Sequence, residues 1–291
     1  MLECVPNVSE GRDPEVLDAL ATACGRTLLD IHVDPDHHRS VFTLAGEDTA
    51  HAVRSLANAA AERLDLSRHT GVHPRLGAVD VVPFVALDGH TPADAIDAAH
   101  AFAAWAADTL AVPVFFYDQA DATGRTLPAT RRDAFGARAP DRGPSTPHPT
   151  LGAIAVGARE PLVAVNCELA RDDVELARTI ATRVRERDGG LPGVRALGLH
   201  LDSVGRAQVS MNLVALERTG LQDACRAVDA LARDAGTAVA RVELVGLVPA
   251  AELARSDDEF RAWSGLGHDD TIEGRLAARA DEARGEPLRD D

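Results

Sequence analysis

The densest run of side chains able to move protons or hold charge is Ser67-Arg68-His69-Thr70-Gly71-Val72-His73-Pro74-Arg75. Histidine titrates nearest to neutral pH, so His69 and His73 are candidates for general acid or base work. Gly71 and Pro74 limit the backbone around His73 and so narrow where its ring can point. From spacing alone, either histidine reads more readily as an ordinary surface or capping residue, because loop histidines are common. All 30 basic side chains are Arg, and Lys is absent. That absence excludes a Schiff base, a lysine-held pyridoxal phosphate and a phosphate-loop lysine. A side-chain charge that holds an anion here is therefore a guanidinium, whose fork suits carboxylates.

Other clusters carry less. His32, Asp34, Asp36, His37, His38, His69 and His73 offer the ligand types of a zinc, manganese or iron site. Yet Gly71 and Pro74 oppose a helical histidine pair, and no helical HExxH glutamate is present. Asp34-Pro35-Asp36 is turn chemistry, and the sequence assigns no metal. Cys4, Cys24, Cys167 and Cys225 are far apart, without the spacing of a zinc ribbon or redox pair. Val5-Pro6-Asn7-Val8-Ser9-Glu10-Gly11 is a polar stretch at the carboxyl end of a strand, where α/β sheets often place ligands, and reads equally well as a simple turn; Asn7 is its candidate substrate contact. Gly143-Pro144-Ser145-Thr146-Pro147-His148-Pro149-Thr150-Leu151-Gly152 is stiff and offers backbone and hydroxyl donors. By itself it reads as a loop.

The elements that must position these residues follow from hydrophobic period. At 291 residues and 45 % hydrophobic content, the chain is long enough for one large core or two smaller ones. A strand over residues 2–8, a helix 14–25, strands 27–33 and 40–44, a helix 47–65 and a strand 78–87 give the order βαββαβ. A helix 92–110 and a strand 112–117 extend it, and residues 118–151 read as a long connection. Strand 162–168, helix 172–188, strands 194–201 and 207–214, helix 221–235 and strand 238–248 repeat the order. The expected fold is α+β, an α/β sandwich of two ferredoxin-like subdomains with a ligand crevice between their sheets. Expected boundaries are 1–160, 161–278 and a charged tail 279–291. A net charge of −16 argues against salt-driven contact with nucleic acid or an anionic membrane. The start of the chain lacks a basic leader and no run reaches membrane length, so the expected location is cytoplasmic; a homodimer is the expected assembly.

Three runs taken together resemble the formiminotransferase family: Glu3-Cys4-Val5-Pro6-Asn7-Val8-Ser9-Glu10-Gly11, Ser67 through Asp80, and Ala207-Gln208-Val209-Ser210 with Asn212-Leu213. The resemblance extends from Leu2 to about Pro249 and includes no counterpart of a helical cyclodeaminase domain. It implies two α/β subdomains and transfer of a formimino group between N-formimino-L-glutamate and N5 of tetrahydrofolate, a co-substrate, in histidine breakdown. It implies that His73 is catalytic, that residues 143–152 bind folate, and that Arg39 follows the second strand at the family's arginine position. Arg39 and Arg75 are then candidates to hold glutamate carboxylates. His32 and His38 stand where bifunctional relatives carry Asp and Asn. These departures keep open transfer of a formimino or formyl group involving another amine, and a folate-binding protein without turnover is the alternative of a different class.

Overall fold

The structure, a computed structural model, describes residues 1–70, 75–201 and 205–284. They fall into two compact units, Met1–Glu160 and a second beginning at Pro161.

The first unit opens with β1 (Leu2–Cys4) and β2 (Asn7–Val8), two pieces of one strand interrupted at Val5-Pro6. Both pieces pair antiparallel with β4 (Arg39–Gly46) on one side and β5 (Val79–Ala86) on the other. Proline lacks the amide donor that an unbroken ladder needs, and Pro6 uses its carbonyl instead, accepting from the Phe42 N–H at 2.9 Å. α1 (Pro14–Cys24) starts where Asp13 accepts from the amides of Glu15 and Val16, with Pro14 at the first helical position, the expected start signal. β3 (Leu28–Asp34) pairs with β4, and α2 (Thr49–Arg63) leads toward β5. The capping box Thr91/Asp94 starts α3 (Pro92–Thr109), which precedes β6 (Val114–Asp118).

Two elements of this unit depart from the sequence reading. α4 (Leu127–Asp133) and β7 (Ile154–Ala158) lie in or just after the stretch expected as one long connection. β7 inserts between β5 and β6, parallel to both. The resulting order is β3, β4, β1/β2, β5, β7, β6. Phe42, Leu44, Phe84, Leu20, Leu56 and Phe102 share the core between this sheet and its helices. The opposite face also carries a helix: Leu127 of α4 packs on Val81, Tyr117 and Ala155.

In the second unit, β8 (Val163–Leu169), α5 (Val174–Val184), β9 (Val194–Leu201), β10 (Arg206–Leu213), α6 (Leu221–Asp234) and β11 (Val239–Val245) form a sheet of order β11-β8-β10-β9. Its core joins Ile180, Val184, Cys225 and Val228 to Val165, Val209 and Met211. Three further helices, α7 (Ala250–Leu253), α8 (Asp258–Ser264) and α9 (Ile272–Arg284), follow. α9 runs past Arg279, where the sequence reading began a charged tail. The Arg279–Glu282 pair, three residues apart at 2.9 Å, has the spacing that supports a helix. All four cysteines are buried and free; burial pushes the Cys24 thiol up to about 12, so it stays protonated. Among the described residues no helix is long and apolar enough to cross a membrane.

Candidate active site

Sheet register gathers the site at one end of the first unit. Asn7 lies opposite Val41 and Val81, Val8 opposite Ser40 and Val79, and Asp34 opposite Arg39. The carboxyl end of β2, the turn from β3 to β4 and the start of β5 therefore converge, and the residues after each strand end can meet.

Glu10, just past β2, organises the corner. Its Oε1 accepts from the backbone N–H groups of Gly11, Arg12 and Asp13 at 2.8–3.0 Å, and from His38 Nε2 at 3.1 Å. Burial alone would raise the Glu10 carboxyl, but the Asp13 and Arg12 amides and His38 outweigh it and hold the group below the usual carboxylate value, since each favours the charged form. The other ring nitrogen of His38 lies 3.1 Å from the Thr70 carbonyl. Both partners can only accept, so both contacts are hydrogen bonds only when both ring nitrogens carry protons. His38 thus ties the residues after β2 to the loop before β5. Its backbone sits at φ 51°, a left-handed conformation that is uncommon outside glycine.

The His38 ring stacks on His69, with centroids 4.1 Å apart. Arg75 Nη1 stands 2.6 Å from His69 Nε2, and Nη2 donates to the His37 carbonyl at 3.2 Å. A guanidinium only donates, which makes Nε2 the lone-pair nitrogen and puts the proton of neutral His69 on Nδ1. The His38 carbonyl, 3.1 Å from the same Nε2, is then a close neighbour rather than a second hydrogen-bond partner. Burial first, then the charges of Arg75 and His38, hold His69 below its ordinary value, consistent with that neutral form. The stacked rings line a cavity of about 320 Å³ together with Ser9, Glu10, Asp13, Arg63 and Arg68.

Of the sequence-derived candidates, Arg75 sits at this corner, and Arg39 lies within the electrostatic reach of Asp34 and Asp80. Asn7 is half-buried, its Nδ2 donating to the Val5 carbonyl at 3.3 Å. His73 lies outside the described residues. The stretch 143–152 is laced to the same end of the sheet. Leu66 N–H donates to the Thr150 carbonyl at 2.7 Å, Ala78 N–H to the Leu151 carbonyl at 3.0 Å, and Ala153 N–H to the Leu76 carbonyl at 2.9 Å. Within it, His148 Nδ1 accepts from the Leu151 N–H at 3.1 Å, while Gly143 through Pro147 stay exposed. Gly152 has φ 70°, and a Cβ there would stand 2.2 Å from the Leu76 carbonyl oxygen; only glycine fits.

Of the described residues weighed as metal ligands, four are engaged: His37 Nδ1 lies 2.5 Å from Asp34 Oδ2, and His38 and His69 are held as described above. Among the described residues no group of three or more potential ligands is arranged around a common point. The sequence reading singled out neither Glu10 nor Asp80 beyond the runs containing them, and it passed over Arg131. Glu10 had a signal: an acid just before the Asp13-Pro14 helix start is placed to accept exposed amides.

Fold and site define a two-unit α+β protein with an arginine- and histidine-rich corner on its first sheet, and the chain belongs to the formiminotransferase family. Residues 1–159 match the formiminotransferase domain, N-terminal subdomain, and residues 164–264 match the formiminotransferase domain. The chain is 38 % identical over 270 residues to the glutamate formimidoyltransferase of Streptococcus pyogenes serotype M1, covering 87 % of this chain and 90 % of that one. It is 32 % identical over 299 residues to the glutamate formimidoyltransferase of Thermoplasma acidophilum, covering 96 % and 98 %. The formimidoyltransferase-cyclodeaminase of Sus scrofa is 39 % identical over 272 residues, which are 86 % of this chain and 50 % of that protein; the chain spans about half of such two-part relatives.

Proposed function

We propose that the chain is a glutamate formimidoyltransferase, moving the formimino group between N-formimino-L-glutamate and N5 of tetrahydrofolate. The observation that carries this reading is the family match along both units, to relatives named for that activity at nearly full length on both sides. The site chemistry agrees with it. In this reading His73 takes the proton that N5 loses as it bonds to the formimino carbon. It returns that proton to the glutamate nitrogen as the old C–N bond breaks, so one histidine serves both halves of the transfer. Arg39 and Arg75 hold glutamate carboxylates, Asn7 contributes a neutral contact, and residues 143–152 bind the folate. His69, neutral and fixed by Arg75, orients that guanidinium. His38, suspected from sequence of changing the amine partner, lies between Glu10 and the Thr70 carbonyl, and the relatives named for glutamate formimidoyl transfer favour glutamate over another amine. The reading includes a cytoplasmic homodimer, checked by light scattering.

The test is a transfer assay with the purified protein, N-formimino-L-glutamate and tetrahydrofolate, following 5-formiminotetrahydrofolate and glutamate together. Their equimolar appearance supports the proposal. Tight folate binding without either product would contradict it and leave a folate-binding protein.

A further inference from the structure

Arg131 lies in the last turn of α4, the short helix that the sequence reading left inside a loop. Leu127 of that helix packs on Val81, Tyr117 and Ala155, which fixes α4 against the sheet face away from the main helices. From there Arg131 reaches β5 and pairs through Nη2 with Oδ2 of Asp80. Asp80 is itself buried, and its other oxygen accepts the Leu76 N–H at 2.5 Å. One carboxylate thus fixes both the backbone just after Arg75 and one nitrogen of Arg131.

Among the described residues the rest of the Arg131 guanidinium has no hydrogen-bond partner. Nε is enclosed without a hydrogen-bond partner, and Nη2 carries the only hydrogen bond of this side chain among the described residues. The side chain is 23 % exposed, so a ligand can reach it. A guanidinium keeps its protons at any ordinary pH, and an unsatisfied buried donor costs about 1–3 kcal/mol. Its surroundings add a second reason for an anion. Asp80 and Arg131 both act on Arg39 and on Arg75, while Arg39 and Arg12 also act on Arg75; burial first, then like charge, holds both guanidinium values down. Asp80 faces Arg131, Arg39 and Arg75, and Asp34, which also acts on Arg39, is shared with His37. In a chain of net charge −16, this is a local surplus of cations.

We propose that Arg131 is a further ligand-binding residue of this site, taking a carboxylate of a glutamyl group, and that Asp80 is its positioning residue. The inference rests on the formiminotransferase reading, which brings two glutamyl groups to the protein, one in N-formimino-L-glutamate and one in the tail of tetrahydrofolate.

The experiment compares wild type with Arg131→Met, which keeps chain length without donors, and Arg131→Lys, which keeps charge without the fork. If the glutamyl group belongs to the formimino donor, Arg131→Met raises its KM about tenfold or more, as loss of a hydrogen bond to a charged group does. The value of kcat and the tetrahydrofolate Kd then stay within about twofold, the pattern of a lost binding contact. If it belongs to the folate tail, the Kd for tetrahydrofolate rises while that for 6-methyltetrahydropterin, which lacks the tail, does not. Arg131→Lys falls between in either case. Calorimetric titration with L-glutamate gives a readout independent of turnover. Glutamate binding that depends on Arg131 in a protein without transfer activity would sink the proposed function and leave this site standing. Normal transfer, with KM and both Kd values unchanged in a folded Arg131→Met, would overturn the inference alone.

Discussion

The two units lay down the same chain order with the same arrangement of four strands, yet among the described residues the stacked histidine pair with an arginine against it belongs to the first. In both, the first strand of the βαββαβ run is central and the second and fourth lie on either side of the set: β3, β4, β1/β2, β5 in one and β9, β10, β8, β11 in the other. The difference is in the connections. Between the second helix and fourth strand, the first unit spends residues 64–78 and the second only residues 235–238. The longer connection carries His69, His73 and Arg75, and it is pinned from outside by residues 148–153. In the second unit the equivalent sheet face pairs its charges internally, with Glu168 accepting from Arg241 at 2.9 Å and Asn166 donating to Glu243 at 3.0 Å. A shared frame supplies rigidity, and the residues available for chemistry come from what is inserted into it.

Changes to the inserted loops should therefore cost more than equivalent changes to the plain frame. The largest stability effect is expected for Gly152→Ala. A left-handed φ and a backbone oxygen 2.2 Å from the new Cβ together predict a loss of about 3 kcal/mol or more, read from urea unfolding. Glu10→Ala removes the acceptor of three backbone amides and of His38, with an expected loss of about 2 kcal/mol. Acid titration sharpens the same point. Glu10 and His69 both have lowered values in the folded protein, so the unfolded chain binds each proton at higher pH than the folded one does, and stability falls on acidification. The His69 contribution is lost as pH falls below 6.5, the ordinary value, and the Glu10 contribution below 4.5. A His69→Asn variant should lack the first of these declines, as followed by melting temperature against pH. In the second unit, Gly236 has φ 75° and open space around its missing Cβ, so Gly236→Ala should cost only about 1 kcal/mol. Arg226→Ala, which breaks an exposed pair with Asp257 at 3.0 Å, should change stability by less than about 1 kcal/mol. Equal losses for Gly152→Ala and Gly236→Ala would remove the distinction between the two ends.

Periodicity made most of the frame legible, because residues such as Val53, Leu56 and Ala60, or Ile180 and Val184, mark one helical face. β7 was not legible. Its run Ile154-Ala155-Val156-Gly157-Ala158 has only two β-branched residues among small ones, and Gly157 leaves room for the Tyr117 ring, which a Cβ there would meet at 2.4 Å; close packing thinned the strand signature. α4 did have a start signal, Thr126 followed by Pro128, hidden in an arginine- and proline-rich stretch. Within the site, motif runs pointed to the loop of His69 and Arg75. The Glu10–His38–Thr70 bridge depends on partners 28 and 32 residues away from His38, which no local spacing encodes. Arg131 and Asp80, 51 residues apart, meet only through the sheet.

The central claim is that the inserted loop of the first unit carries the proton transfer, and the most direct test sets His73→Ala beside wild type. Both are assayed for formimino transfer to tetrahydrofolate and titrated with tetrahydrofolate under the same conditions. The account predicts a loss of about 10²- to 10⁴-fold in kcat, the range for removing a general acid–base group, with folate affinity retained. A folded variant that transfers at the wild-type rate would contradict it.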